Sequence, residues 1–108
     1  MPALPPVPQF AIRLPLQTAS WYHLPGQQTA SGVEYGGNGV AHRWLPFGMT
    51  RTLCREDHPL ICAQVVVVDR FGKDDPKDVD WDVPKEVARK LFMLKKGIVL
   101  VAVNPRGK

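Results

Sequence analysis

Residues 18–48 hold several kinds of side chain that bind or react with polar ligands. Flat aromatic rings with a polar edge can stack on sugar rings, an imidazole exchanges a proton near neutral pH, and glycines allow close approach of the backbone to a ligand. The stretch supplies all three, as the aromatic pair Trp21–Tyr22, a glycine-rich loop with Glu34, and the pair His42–Arg43. This combination predicts a groove that holds a polar polymer.

Two aspartates further along the chain are candidates for proton transfer. Asp69 follows the run Val65–Val68 at the end of a predicted strand, and Asp82 precedes a predicted helix. Both also have structural explanations, because a carboxylate at a strand end often holds a turn and aspartate is a preferred helix N-cap, worth ~1 kcal/mol. A capping carboxylate has a lowered pKa, which is the wrong direction for a general acid. The structural and the catalytic interpretations stay open for both residues.

The other candidates have alternatives of the same kind. His42 can be a partly buried structural histidine, and Glu34 can be a solvated loop charge or can swing into a site. Among the tryptophans, we expect Trp44 in the core and Trp81, which stands between two aspartates, on the surface.

Composition limits the class of protein. The chain has 108 residues, 44% hydrophobic and 22% charged, which predicts one globular domain. A net charge of +4 favours an anionic partner. Nucleic-acid binding explains it poorly, because no run of Lys and Arg exceeds two residues. No apolar run approaches the roughly 20 residues of a membrane-spanning helix, and we expect no metal or other cofactor.

The two ends of the chain differ from its centre. Five prolines among the first fifteen residues predict an extended arm over 1–15, without the features of a secretion signal. A folded domain over 16–104 and a basic tail over 105–108 follow. Export would then use another route, such as a virion released by lysis, unless a signal has been removed.

Within the folded domain the patterns predict a mainly β structure with one helix. Strands are expected at 16–23, 40–44, 49–54, 61–69 and 98–103. The run Val65–Val68 is typical of a strand buried on both faces, and residues 71–82 are expected to form a polar loop outside the core. Asp82 is expected to cap a helix that ends at Lys95–Gly97. The apolar face of that helix comprises Val83, Val87, Leu91 and Leu94.

Cys54 and Cys62 flank the turn of a predicted hairpin. A disulfide across the hairpin is geometrically reasonable, and two reduced thiols in the core are an equal alternative if the protein folds in the cytoplasm. A zinc site is disfavoured, because there are only two thiolates and His58 lies in the same short turn.

Five segments resemble the rare lipoprotein A family in their order and approximate spacing. They are ASWY, TASG, AHRWLPFG, VVVVDR and DVPKEVARKL, and they cover roughly residues 18–103. The element AHR-x-LPFG is the most specific of them. The resemblance implies a six-stranded double-psi β-barrel, the fold that this family shares with expansins, barwin-like proteins and family 45 endoglucanases.

The resemblance also implies an activity and a site. Characterised members are septal lytic transglycosylases, which cleave the glycan strands of peptidoglycan. A protonated carboxyl group donates to the leaving oxygen and the substrate's own hydroxyl closes an anhydro ring, so one acid–base group can serve twice. The resemblance implies His42, Asp69 and Asp82 as catalytic residues and Trp21 and Tyr22 as substrate-binding residues. From the sequence itself we add Glu34 to the catalytic set, as a loop carboxylate that could replace a missing acid. We add Arg43, the neighbour of His42, and Trp81, an expected exposed aromatic residue, to the substrate-binding set. We expect His42→Ala to reduce the anhydro products.

The chain departs from the family pattern at positions that are usually acidic. Val33 and Gly36 occupy those positions, and Glu34 lies one place along. Three hypotheses follow. The protein binds and cleaves glycan strands in the cell envelope or periplasm. Alternatively, it is an inactive virion or phage tail component that docks on neighbouring subunits through residues 1–15. In the third hypothesis it binds polysaccharide without cleavage, as expansins do.

Overall fold

The computed structural model describes residues 16–104, which form a mainly β structure with one short helix. The arm predicted over 1–15 and the tail predicted over 105–108 lie outside the described residues. In chain order the elements are β1 (Leu16–Tyr22), β2 (Gly39–His42), β3 (Thr50–Arg55), β4 (Cys62–Asp69), β5 (Trp81–Pro84), α1 (Lys85–Lys90) and β6 (Ile98–Asn104). The predicted fold class is confirmed.

The six strands close into a barrel in the order β1-β5-β2-β4-β3-β6. β1 runs parallel to β5 and β2 runs parallel to β4, whereas the other four pairs are antiparallel. Exchanging β1 with β4, β2 with β5 and β3 with β6 leaves every pairing and its direction unchanged. The strand arrangement therefore has a two-fold pseudosymmetry, which is compatible with a double-psi barrel.

The barrel encloses a core that is mostly aliphatic. Successive side chains of a strand face opposite sides, so alternate residues of each strand enter the interior. In the valine run of β4, Val65 and Val67 are fully buried, Val68 is nearly so and Val66 is half-buried. At its far end the strand pairs with β2, where Ala41 is the register partner of Asp69.

The two tryptophans at 44 and 81 occupy the opposite places to those expected, so both expectations are wrong. Trp81 is 1% exposed, because it begins β5 on the same buried face as Val83. Its indole Nε1 donates to Gln17 Oε1 at 2.6 Å, which satisfies the polar edge of the ring. Trp44 follows the end of β2 and is 71% exposed.

Residues 82–97 also differ from the prediction. Asp82 is not a helix cap, because it lies inside β5 opposite Ser20 of β1. The helix begins only at Lys85, after Pro84, and it ends at Lys90. The physical reason is that parallel pairing with a strand 62 positions away outweighs the local helical pattern. The prediction of a polar loop over 71–82 is therefore wrong for Trp81 and Asp82, which belong to the barrel strand β5.

The hairpin of β3 and β4 is closed by a disulfide. Cys54 and Cys62 are direct partners in the antiparallel register and their sulfurs are bonded. Of the two alternatives open from the sequence, the structure therefore has the oxidised one.

Gly39, the first residue of β2, is a close-packing position. A Cβ atom there would lie 2.6 Å from Val68 Cγ2, well inside contact distance. Since valine is stiff at χ1, we expect Gly39→Ala to lower the free energy of unfolding by about 1–3 kcal/mol. Urea denaturation would measure this. Gly72→Ala is the matched control, because its nearest new contact would be an ordinary 3.5 Å, and we expect a change within about 1 kcal/mol. Equal stability of the two variants would contradict the prediction.

Candidate functional site

One row of residues crosses four neighbouring strands of the barrel. Ser20 of β1 is opposite Asp82 of β5, Asp82 is opposite Ala41 of β2, and Ala41 is opposite Asp69 of β4. Residues that are register partners share a face of the sheet. Asp82 lies between the buried residues Trp81 and Val83, so its side chain is on the outward face. The row thus brings two aspartates together, with the small Ala41 between them.

A cleft of about 250 Å³ lies over this row. Its floor and walls include Ala41, Asp69 and Asp82 from the row. Tyr22 and Leu24 come from the end of β1 and the turn after it, and Arg70, Phe71 and Asp75 come from the loop after β4. The cleft therefore combines three carboxyl groups, one guanidinium and two aromatic rings.

Asp69 holds the cleft together. Its Oδ1 accepts hydrogen bonds from the backbone N–H groups of Ala30 at 2.8 Å and Arg70 at 2.9 Å, and its Oδ2 accepts one from the Tyr22 hydroxyl at 3.0 Å. Burial, together with the Asp69 carboxylate, raises the pKa of Tyr22, so the hydroxyl stays a donor. Asp69 thus ties β1 and the loop around Ala30 to the end of β4.

Asp82 is in a different electrostatic situation from Asp69. Its Oδ1 accepts a hydrogen bond from the Ser20 hydroxyl at 3.0 Å. Burial raises the pKa of Asp82 to about 6, and the negative charges of Asp75 and Asp69 act in the same direction, while the Ser20 hydrogen bond opposes them. An appreciable fraction of the Asp82 carboxyl is therefore protonated close to neutral pH, as a general acid requires.

His42 lies under the surface, outside the lining of the cleft. It is 4% exposed, and its ring packs edge-on against Trp81 and Trp44. Nδ1 accepts hydrogen bonds from the backbone N–H groups of Trp44 at 3.2 Å and Leu45 at 3.1 Å. Burial lowers the pKa of His42 to about 4; Asp80 opposes this, and three nearby arginines reinforce it. The imidazole is therefore a neutral group that fixes the turn after β2.

The remaining predicted residues divide between supporting and surface positions. Glu34 is exposed on a loop where its backbone bridges to Gln28, and it does not line the cleft. Trp21 is partly buried against the core, and Trp81 is inside it. A side chain as buried as Trp81 offers no face to a sugar.

Arg43 supports the cleft wall. Its Nη2 donates to the carbonyl oxygens of Pro76 and Val79, the latter at 2.9 Å, and its guanidinium lies 4.6 Å from the centre of the Phe71 ring. These contacts hold the loop that supplies Phe71 and Asp75 to the cleft.

The cleft also contains residues that the sequence analysis did not select. They are Leu24, Ala41, Arg70, Phe71 and Asp75. Their signal was weak, because Asp75 stands in an acidic loop where any of several aspartates could have faced the site. The supporting residue Ser20 could have been found only from the register of β1 against β5.

A scan against protein-family models finds no match to the chain, and a search of curated proteins finds none either. Among residues 16–104, no group of three or more His, Cys, Asp or Glu side chains is placed to hold a metal ion. Within the same range, none of the helices has the length and apolarity needed to cross a membrane.

Proposed function

We propose that the barrel binds a glycan strand of peptidoglycan in this cleft and cleaves it as a lytic transglycosylase, with Asp82 as the acid–base group. The observation that carries the proposal is Asp82 itself, a carboxyl group with a pKa of about 6 in a cleft that Tyr22 and Phe71 also line. The choice of polymer rests on the resemblance to the rare lipoprotein A family, whose site positions match Asp69 and Asp82.

The chemistry needs one titrating group. Protonated Asp82 donates its proton to the glycosidic oxygen as the bond from that oxygen to the anomeric carbon breaks. The resulting Asp82 carboxylate then accepts the proton of the sugar's own primary hydroxyl, whose oxygen bonds to the anomeric carbon and closes an anhydro ring. The proton taken by the leaving group is thus restored to Asp82, and no water is consumed.

The environment of Asp69 favours this scheme over hydrolysis with two carboxylates. A hydrolase needs a second carboxylate that acts as nucleophile or activates a water. Both oxygens of Asp69 already accept hydrogen bonds from Ala30, Arg70 and Tyr22. We assign Asp69 to holding the cleft and Asp82 to proton transfer.

Digestion of purified sacculi tests the proposal. The protein should release muropeptides with anhydro ends, detected by mass spectrometry, and it should sediment with the sacculi. Binding without anhydro ends would remove the enzymatic part of the proposal. Absence of both product and binding would remove the polymer as well.

Binding without cleavage is the second candidate, and the exposed aromatic residues outside the cleft favour it. Trp44 and Phe47 are both exposed on the turn after β2 and neither lines the cleft that contains Asp82, so they could stack on sugars without involving that carboxyl group. An expansin-like binder would weaken contacts between polysaccharide chains and create no new ends.

The third hypothesis, an inactive virion or tail component, depends on residues 1–15. Its test is deletion of those residues, which should abolish assembly while substitutions in the cleft have no effect. The opposite pattern would reject it. The cell envelope is the expected location under the first two hypotheses, and a virion under the third.

A further inference from the structure

Arg70 is a cation in a cleft whose other charged groups are acidic, and no carboxylate of residues 16–104 forms an ion pair with it. It lines the cleft together with Asp69, Asp75 and Asp82. Within residues 16–104 the ion pairs are Arg55–Asp57 and Lys96–Asp57, so none of the three cleft carboxylates reaches Arg70. A positive charge that lines a cleft without a partner is available to a ligand.

The guanidinium of Arg70 is nevertheless held in position. Its Nη1 donates to the carbonyl oxygen of Asp69 at 3.2 Å and lies 3.5 Å from the carbonyl oxygen of His42. Its central carbon is 4.2 Å from the centre of the Phe47 ring, a cation–π contact. These contacts occupy one nitrogen and one face of the planar group. Nε and Nη2 donate to no acceptor in the described part of the chain.

We propose that Arg70 forms a carboxylate-binding subsite, so that the polysaccharide held in the cleft is an acidic one. One sugar carboxylate accepts paired hydrogen bonds from Nε and Nη2, the geometry for which a guanidinium is suited. This inference rests on the proposed function, since it names the chemical class of glycan that the same cleft accepts.

The charges of the cleft restrict where such a carboxylate can lie. Asp75 and Asp69 repel it, whereas Asp82 is protonated in part near pH 6 and repels it less. Phosphate, which carries up to two negative charges, would be repelled more strongly by the same aspartates. A single planar carboxylate at the Arg70 end is therefore the better match.

Calorimetric titration with two forms of one glycan tests the subsite. The probe is peptide-free glycan strands from sacculi, on which the lactyl carboxylates are the acids, compared with the same strands after those carboxylates are amidated. The full chain carrying Asp82→Asn would be used, so that the strands are not consumed. We expect the native strands to bind about 10- to 100-fold more tightly than the amidated ones.

Substitutions at Arg70 then assign the preference to this residue. Arg70→Gln should abolish the difference between the two strands, and Arg70→Lys, which keeps charge but loses the planar fork, should keep only part of it. Arg51→Gln is the matched control, because Arg51 is outside the lining of the cleft, and it should keep the full difference.

The outcomes separate this inference from the proposed function. Equal binding of native and amidated strands, or an undiminished preference in Arg70→Gln, would overturn the subsite while leaving glycan binding in place. Failure of both strands to bind would overturn both proposals. The comparison of strands needs no substitution at Arg70, so it stands even if a variant at that position fails to fold.

Discussion

Asp82→Asn is expected to lower the rate of anhydro-end formation by about 10²- to 10⁴-fold, the range that a general acid typically contributes. The amide has the size of the carboxyl group and can still accept a hydrogen bond from Ser20, so the cleft keeps its shape. It has no titratable proton for the leaving oxygen. The wild-type rate should fall as the pH rises through about 6, and the variant should lose this dependence.

Two aspartates of the loop before β5 test the specificity of this effect. Asp78→Asn should leave the rate unchanged, because Asp78 is exposed and outside the lining of the cleft. Asp75→Asn should move the pH profile to lower values, because the negative charge of Asp75 helps to raise the pKa of Asp82. If Asp82→Asn forms anhydro ends at the wild-type rate, Asp82 is not the catalytic acid.

Asp82→Asn should also make the barrel more stable at neutral pH. The folded pKa of Asp82 is about 6 against an ordinary 3.8, so the folded state binds more protons than the unfolded one in between. The contribution of Asp82 to the free energy of unfolding therefore falls as the pH rises from about 4 to about 6. At pH 7 the buried, ionised Asp82 lowers the free energy of unfolding by about 1–3 kcal/mol. Urea denaturation of Asp82→Asn at pH 7 should show this gain. A less stable variant would mean that any loss of activity reflects damage to the fold.

The second large effect is acid destabilisation through His42. Its folded pKa is about 4 against an ordinary 6.5, so the unfolded state binds more protons in between. Stability from the neutral imidazole is present above about pH 6.5 and is lost as the pH falls toward 4, by up to about 3 kcal/mol. Protonation would remove Nδ1 as the acceptor for the N–H groups of Trp44 and Leu45.

Between about pH 4 and pH 6, a rise in pH lowers the stability contribution of Asp82 and raises that of His42. The two changes oppose each other, so the stability of the wild-type protein should change little over this range. The Asp82→Asn background removes one of the two contributions, and the acid loss from His42 should then appear in full in urea denaturation. His23→Gln is the control, because His23 is exposed. A flat profile in Asp82→Asn, or an imidazole NMR titration of His42 near 6.5, would contradict the assignment. We further expect product loss in His42→Ala to follow its unfolded fraction.

Much of the fold could be predicted because its signals are local. Alternating β-formers, turn glycines and the valine run identify β1 to β4 and β6 without knowledge of their partners. β5 could not be found in this way. It has four residues, begins with Trp81 directly after an acidic loop, and becomes a strand only by pairing with β1 and β2. The two wrong tryptophan assignments share this cause, because burial of Trp81 follows from that pairing.

The site was predictable only in part for the same reason. Asp69 and Asp82 were selected by resemblance, and the structure places both on one cleft. The resemblance could not show that His42 lies beneath the surface. Neighbouring residues of a strand face opposite sides of the sheet, and the pairing register decides which residue faces outward. Ala41, next in the chain, is the residue that lines the cleft.

The pseudosymmetry of the strands has a consequence for any chain laid across the cleft. The exchange of strands that relates the two halves of the barrel maps the row Ser20–Asp82–Ala41–Asp69 onto the same row in the opposite order. Asp82 and Ala41 therefore occupy equivalent positions, and so do Ser20 and Asp69. The backbone would thus accept a polymer in either direction. The carboxyl group of Asp82 on one side and the methyl group of Ala41 on the other break this equivalence. A strand with distinct reducing and non-reducing ends would therefore meet the Asp82 carboxyl group differently in its two orientations.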